Sequence, residues 1–260
     1  MIDWPYVVSG LGVGVLVGTT GVGGGSLMTP LLVLLFGVHP ATAVGTDLLF
    51  AATTKSVGTI VHGANRTIDW AVTGLLAAGS VPATVATLWM LSHVQASMGA
   101  SAKVIATVLG VMLILTSAAL LGRRMLRTLI ERHRAPGEAN ETCRGAATVA
   151  LGAVLGVVVS ISSVGAGAIG MTALLLLHPN RPIARLIGAD IVHAVPLTLL
   201  AGLGHWLIGS VDFGLLGTLL IGSIPGVILG SLLGPRLPET VLRPILAAVL
   251  ALVGVKLVFG

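Results

Sequence analysis

Charge is what this sequence has least of: Asp, Glu, Lys and Arg make up 9% of its 260 residues, and aromatics only 3%. So few solvating side chains exclude a water-soluble globular domain. With 55% hydrophobic residues and a mean hydropathy of +1.05, the chain reads as a membrane protein. One cysteine, Cys143, excludes an internal disulfide. Met1 to Pro5 holds Asp3 and no Lys or Arg, so the basic start of a cleaved signal is missing and Trp4 to Val17 is expected to be retained. A net charge of +5 raises nucleic acid as a partner, but the arrangement of the basic residues argues against it. Arg123, Arg124, Arg127, Arg132, Arg134 and Arg144 crowd into one polar linker, the pattern of a cytoplasmic retention signal beside a membrane span.

What the chain does have is apolar runs of the ~20 residues that a helix needs to cross a ~30 Å hydrocarbon core. Ala41 to Val61, Ala71 to Leu91 and Val104 to Leu121 are three of them, and one helical bundle fits them better than several domains. The basic linker, residues 122–144, separates two halves that repeat each other. Gly45, Asp47, His62, Asp69, Gly74, Gly79, Ser80 and Pro82 recur 143 residues later as Gly188, Asp190, His205, Asp212, Gly217, Gly222, Ser223 and Pro225. Nearer the start of each half the offset is 142, which sets "GVGGGS" (Gly21 to Ser26) against "SVGAGA" (Ser163 to Ala168).

Each half thus reads as an apolar segment broken by a small-residue stretch, then three full spans. The pieces are Trp4 to Val17 and Leu27 to Gly37, followed by spans near 41–61, 70–91 and 102–121; then Ala146 to Val159 and Ile169 to His178, followed by 182–206, 212–233 and 240–259. The expected fold is an all-α polytopic membrane protein built from two inverted repeats, residues 1–121 and 145–260, each one broken helix or hairpin plus three transmembrane helices. Inversion follows from the Lys and Arg distribution. With the linker inside the cell, residues 62–69 with Arg66 fall inside, and 38–40 and 92–101 fall outside. Arg181, Arg185, Arg236 and Arg243 also fall inside, but only if each broken segment returns to its starting side or crosses twice. Both termini then lie outside, and the re-entrant and double-crossing forms stay open.

Matched breaks in two halves are the sequence pointer to a secondary transporter's binding site. Non-helical backbone at membrane depth must face protein or a water-filled cavity. Gly23, Gly24 and Gly25 allow the backbone to approach a ligand, Ser26 can cap the helix that begins there, and that helix end favours an anion. Thr19 and Thr20 in the first half, and Ser160, Ser162, Ser163, Gly165 and Gly167 in the second, complete the candidate substrate-binding set together with Lys55. Close helix packing through small residues is the plainer reading of the glycines, and the duplication tips the balance toward a site.

Ionisable residues inside spans default to a functional reading. Asp47 and Lys55 lie eight residues apart in one span, a rise of about 12 Å, too far to pair directly. Lys55 could face the anion while Asp47 balances it or carries a proton. Asp190 is the repeat mate of Asp47, and His193 stands three residues beyond it on the same helix face. Should Lys55 sit nearer Asp47, then Asp190 with His193 becomes the proton-coupling pair. A buried charge pair that only holds the bundle together is the structural alternative. His62 and His205 close their spans at the expected water boundary and read as structural, Asp69 and Asp212 read as N-caps, and Ser80 with Pro82 and Ser223 with Pro225 read as helix bends.

The series "GVGGGSLMTPLLVLLFGVHPATAVGT", then "GTIVHGANRTIDW", then "AAGSVPA", with its degenerate second copy, resembles the sulfite exporter TauE/SafE family of bacterial membrane transporters over nearly the whole chain. The resemblance implies a multi-pass protein of the bacterial cytoplasmic membrane that moves sulfite, sulfoacetate or other organosulfonates. Asp47 and Lys55 depart from the family pattern, which usually has Ser at the first position and small hydroxyl residues at the second. The expected partners are therefore a small anion, the lipid bilayer and protons as a candidate coupling ion, with no nucleic acid, cofactor or metal. Oligomeric state is open. A gated anion channel, or a transporter of an unrelated anion, remains the alternative. A metalloenzyme is disfavoured, because Asp190 and His205 lie about 22 Å apart along one helix.

Overall fold

The computed structural model describes residues 3–20, 25–64, 68–98, 102–132, 141–164, 167–233 and 239–259. Among these, every regular element is an α-helix: α1 (Trp4–Thr20), α2 (Gly25–Phe36), α3 (Pro40–Ala64), α4 (Trp70–Met98), α5 (Ala102–Arg132), α6 (Glu141–Ser162), α7 (Ala168–Leu177), α8 (Ile183–Leu207), α9 (Phe213–Leu233) and α10 (Glu239–Phe259). Four of them are long and apolar enough to cross a membrane over Trp70–His93, Cys143–Ser162, Ile183–Leu207 and Phe213–Gly230. Helix α5 runs on to Arg132, so the start of the basic linker, residues 122–132, is helical.

The helix ends follow from local chemistry. Asp69 Oδ1 accepts a bond from Val72 N at 3.3 Å and Asp212 Oδ1 from Leu215 N at 2.9 Å, so both aspartates cap the helices that follow them, as their place in the sequence suggests. At the end of α8, Gly209 takes φ +82, a conformation cheap only for glycine, and Ser210 N bonds back to His205 O at 2.8 Å. Pro82 and Pro225 lie inside α4 and α9, which continue through them as single helices.

The two broken segments are hairpins that open on opposite sides. Tyr6 and Phe36, at the outer ends of α1 and α2, stack with ring centroids 4.4 Å apart. Thr148 Oγ1 and His178 Nε2, at the corresponding ends of α6 and α7, are 2.9 Å apart. These two pairs are repeat mates at the offset of 142, so one position pair closes both hairpins by different chemistry. Each segment therefore returns to the side on which it began. The first mouth lies at the start of α3, beside the end of α8, where Asp212 N donates to Thr46 Oγ1 at 3.1 Å. The second lies at the start of α8, where Arg181 pairs with Asp69 at 3.1 Å, joining two loops that the charge distribution places inside. Helix α8 separates these ends by its 25 residues, about 37 Å.

Packing interlocks the halves. Helix α1 lies along α9, and its mate α6 along α4, so each half's first helix packs on the other half's fourth. Both seams are lined by glycine: a Cβ on Gly222 would stand 1.9 Å from Val7 O, one on Gly10 2.3 Å from Leu219 O, and in the mated seam one on Gly79 1.9 Å from Val149 O and one on Gly152 2.2 Å from Leu76 O. Without a hydrophobic force between helices in lipid, such backbone approach is what makes them associate. Helices α3 and α8 cross between the seams, and α5 and α10 pair beside them, tied by Ser117 Oγ to Ala247 O at 2.7 Å.

Candidate functional site

Among the described residues, a chain so poor in charge buries several ionisable groups together between α3 and α8: Asp47, Lys55, Asp190 and His193. The close approach of Gly45 to His205, and of Gly202 to Leu49, sets α3 and α8 antiparallel. In that register Lys55 lies between the levels of the two aspartates.

Helix α2 delivers Thr29, whose hydroxyl donates to Asp47 Oδ2. The break after α6 delivers Ser163, whose hydroxyl lies beside the same carboxyl. Ser163 sits at φ +58, the only described residue other than glycine with positive φ. Ser162 holds that turn closed, its Oγ accepting from Val164 N at 3.2 Å and donating to Val158 O at 2.8 Å. Its hydroxyl is thus committed to backbone, whereas Ser163 Oγ and Asp47 Oδ1 are buried with no hydrogen-bond partner. Gly167 caps the start of α7, and no side chain caps that end.

Lys55 lies within electrostatic reach of both Asp190 and Asp47. Sequence spacing within one span could not show this, because Asp190 comes from the other half. Asp190 Oδ1 also lies over Gly170, where a Cβ would stand 2.8 Å from it, so α7 presses directly on the carboxyl. His193 is buried near Lys55, with Nε2 2.8 Å from Ser80 Oγ.

Other expectations need correction. His205 does not sit at the water boundary: it is 5% exposed, with Nε2 2.8 Å from Ser160 O at the end of α6, where it secures the approach to the break. Ser80 does more than mark a bend, since it holds His193. Thr29 was not among the expected site residues, although Met28–Thr29 recurs 143 residues later as Met171–Thr172 and its hydroxyl lies in an apolar helix next to the glycine stretch. Gly23, Gly24 and Gly165 lie outside the described residues, as do the side chains of Thr19, Thr20, Ser26 and His62, while Gly25 begins α2. Among the described residues no group of three or more His, Cys, Asp or Glu is placed to hold a metal.

A family model for the sulfite exporter TauE/SafE family matches residues 6–257. The chain belongs to the sulfite exporter TauE/SafE family. It is also 37% identical over 252 residues to a protein of Bacillus subtilis (strain 168) named probable membrane transporter protein YjnA, an alignment covering 97% of this chain and 98% of that one. No solved structure matches it. Family and relative are those of membrane transporters, in keeping with the all-helical, multi-pass architecture.

Proposed function

We propose that this TauE/SafE member is a secondary transporter of a small anion, a sulfur-containing oxyanion or organosulfonate, in the bacterial cytoplasmic membrane. The observation that carries this reading is Lys55, a lysine 9% exposed at the centre of the α3–α8 crossing, level with neither carboxylate but between them. A buried ammonium in a span is costly unless it pairs or meets a ligand, and the nearby carboxyls of Asp190 and Asp47 offset part of that cost while leaving Lys55 open to an arriving anion. The hairpins supply the rest of the reading. They open to opposite faces, and we assign to the walls of the binding site Thr20, Gly25 and Ser26 from one half and Ser163 and Gly167 from the other, together with Gly23, Gly24 and Gly165, which the sequence puts in the same two breaks. Ser162 supports the second tip.

Residues 1–121 and 145–260 act in this proposal as two inverted units around the site, joined by residues 122–144. Transport follows from exposing Lys55 to one face and then the other, without a catalytic step. The test is uptake of sulfite, thiosulfate and organosulfonates into proteoliposomes. Lys55→Met should abolish it while the variant still inserts and folds, and wild-type uptake by Lys55→Met would overturn the role of Lys55. Conductance without coupled uptake would assign the same geometry to a gated channel.

A further inference from the structure

Among the described residues the α3–α8 crossing buries two carboxyls, Asp47 and Asp190, beside one ammonium, Lys55, and His193 Nε2 lies 2.8 Å from Ser80 Oγ. Asp47 is 0% exposed. A buried carboxylate with no counter-charge is among the most expensive groups a membrane protein can hold.

The surroundings of Asp47 are those of a cation ligand. Thr29 fixes Oδ2 by donating to it, which leaves Oδ1 without a partner. Ser163 Oγ faces the same carboxyl, is buried and is likewise unpartnered. Ser163 is also the first residue past the end of α6, where the helix's last carbonyls point and its dipole is negative. Discontinuous helices in transporters offer such carbonyl ends to coupling cations. The repeat sets Ser163 against Gly21 and Lys55 against Thr198, while Met28–Thr29 recurs 143 residues later as Met171–Thr172, so the hydroxyl from the break belongs to one half only.

We infer that Asp47 Oδ1, Ser163 Oγ and the carbonyl end of α6 form a sodium site, with Thr29 holding the carboxylate in place. An occupied site neutralises the crossing, so that an anion meeting Lys55 no longer meets a net negative charge; sodium thus couples to the substrate. The coupling rests on the transporter reading above, whereas sodium binding does not. Binding is therefore measured with no anion present except chloride. Purified protein at pH 8 is melted in NaCl and in choline chloride at matched ionic strength. Sodium should raise the melting temperature saturably. Ser163→Ala should weaken apparent affinity about tenfold or more, the loss of about one good ligand contact, and Asp47→Asn should remove the response. Ser223→Ala, a buried hydroxyl outside the cluster, should respond as wild type. Identical curves in sodium and choline, including a response to pH alone that would assign the missing charge to a proton, would overturn the site, as would a sodium response that survives Asp47→Asn. Anion uptake that does not depend on sodium would break the coupling while leaving the transporter reading intact.

Discussion

Adding a single methyl group at Gly79 should force a pair of packed helices apart. A Cβ there would lie 1.9 Å from Val149 O, a backbone atom that cannot rotate aside, and ordinary contact begins near 3.4 Å. Helices α4 and α6 would have to separate by about 1.5 Å or distort, and a gap of even 0.5–1 Å already forfeits roughly a quarter to a half of each contact's dispersion energy. Overpacking of this kind costs about 1–3 kcal/mol, so Gly79→Ala should shift the unfolding equilibrium by roughly one to two powers of ten. Gly222→Ala tests the same geometry in the mated seam, where its Cβ would meet Val7 O at 1.9 Å, and should cost about as much. Gly12→Ala and Gly217→Ala are the controls: nothing lies within 4 Å of either position, so alanine should be neutral or stabilising by up to about 1 kcal/mol. Unfolding by titrated SDS in mixed micelles, followed by tryptophan fluorescence, measures all four. Gly79→Ala unfolding at the same SDS fraction as Gly12→Ala would refute the seam.

Three further outcomes are expected. Ser80→Ala leaves His193 Nε2 unpaired and should destabilise by about 1–3 kcal/mol, whereas Ser223→Ala at its mate, whose hydroxyl has no partner, should fall within ~0.5 kcal/mol of wild type in the same titration. Ser163→Gly relieves a positive φ and should melt above Ser163→Ala by an amount equivalent to about 1 kcal/mol, although both lose the hydroxyl. Burial, together with the nearby Arg181, lowers the pKa of His178 from its ordinary 6.5. The unfolded chain then takes up this proton before the folded one, so stability should fall as pH drops below 6.5 and level off once the folded imidazole is protonated; melting curves between pH 4 and 8 should lose this share of their slope in His178→Gln.

The elements that were legible in the sequence are those set by local chemistry. Helix positions follow from runs of apolar residues, although among the described residues only four helices are long and apolar enough to cross a membrane, one of them over Cys143–Ser162 where a piece of a broken segment was expected. The caps at Asp69 and Asp212 follow from a short acceptor placed just before a helix and stand where the letters put them. The repeat was legible as well, and with the arginine distribution it foretold that the broken segments turn back. Nothing in the sequence could reveal which partners meet across the interlocked halves. Lys55 looked like a companion of Asp47 alone because they share a helix, yet the antiparallel crossing of α3 and α8 brings Asp190 within its electrostatic reach as well. His205 looked like a boundary residue because it ends a span, yet the returning α6 covers it. Such contacts depend on which helix packs against which, and hydropathy carries no information about that.

The two halves have kept their geometry and exchanged their chemistry, and the exchanges are not scattered. Each of them changes a polar pair at a mated position: Tyr6 with Phe36 against Thr148 with His178 at the hairpin mouths, and Ser80 with His193 in α4 and α8 against Ser223 with Phe50 in α9 and α3. Where Phe50 stands in for the histidine, Ser223 loses its partner and is left buried without one. At the centre Asp47 meets Thr29 and Ser163, and Lys55 stands where the other half has Thr198. Under the proposal that Lys55 meets an anion and Asp47 a cation, this asymmetry is what lets a single crossing couple ions of opposite sign, since two equal carboxylates would distinguish neither.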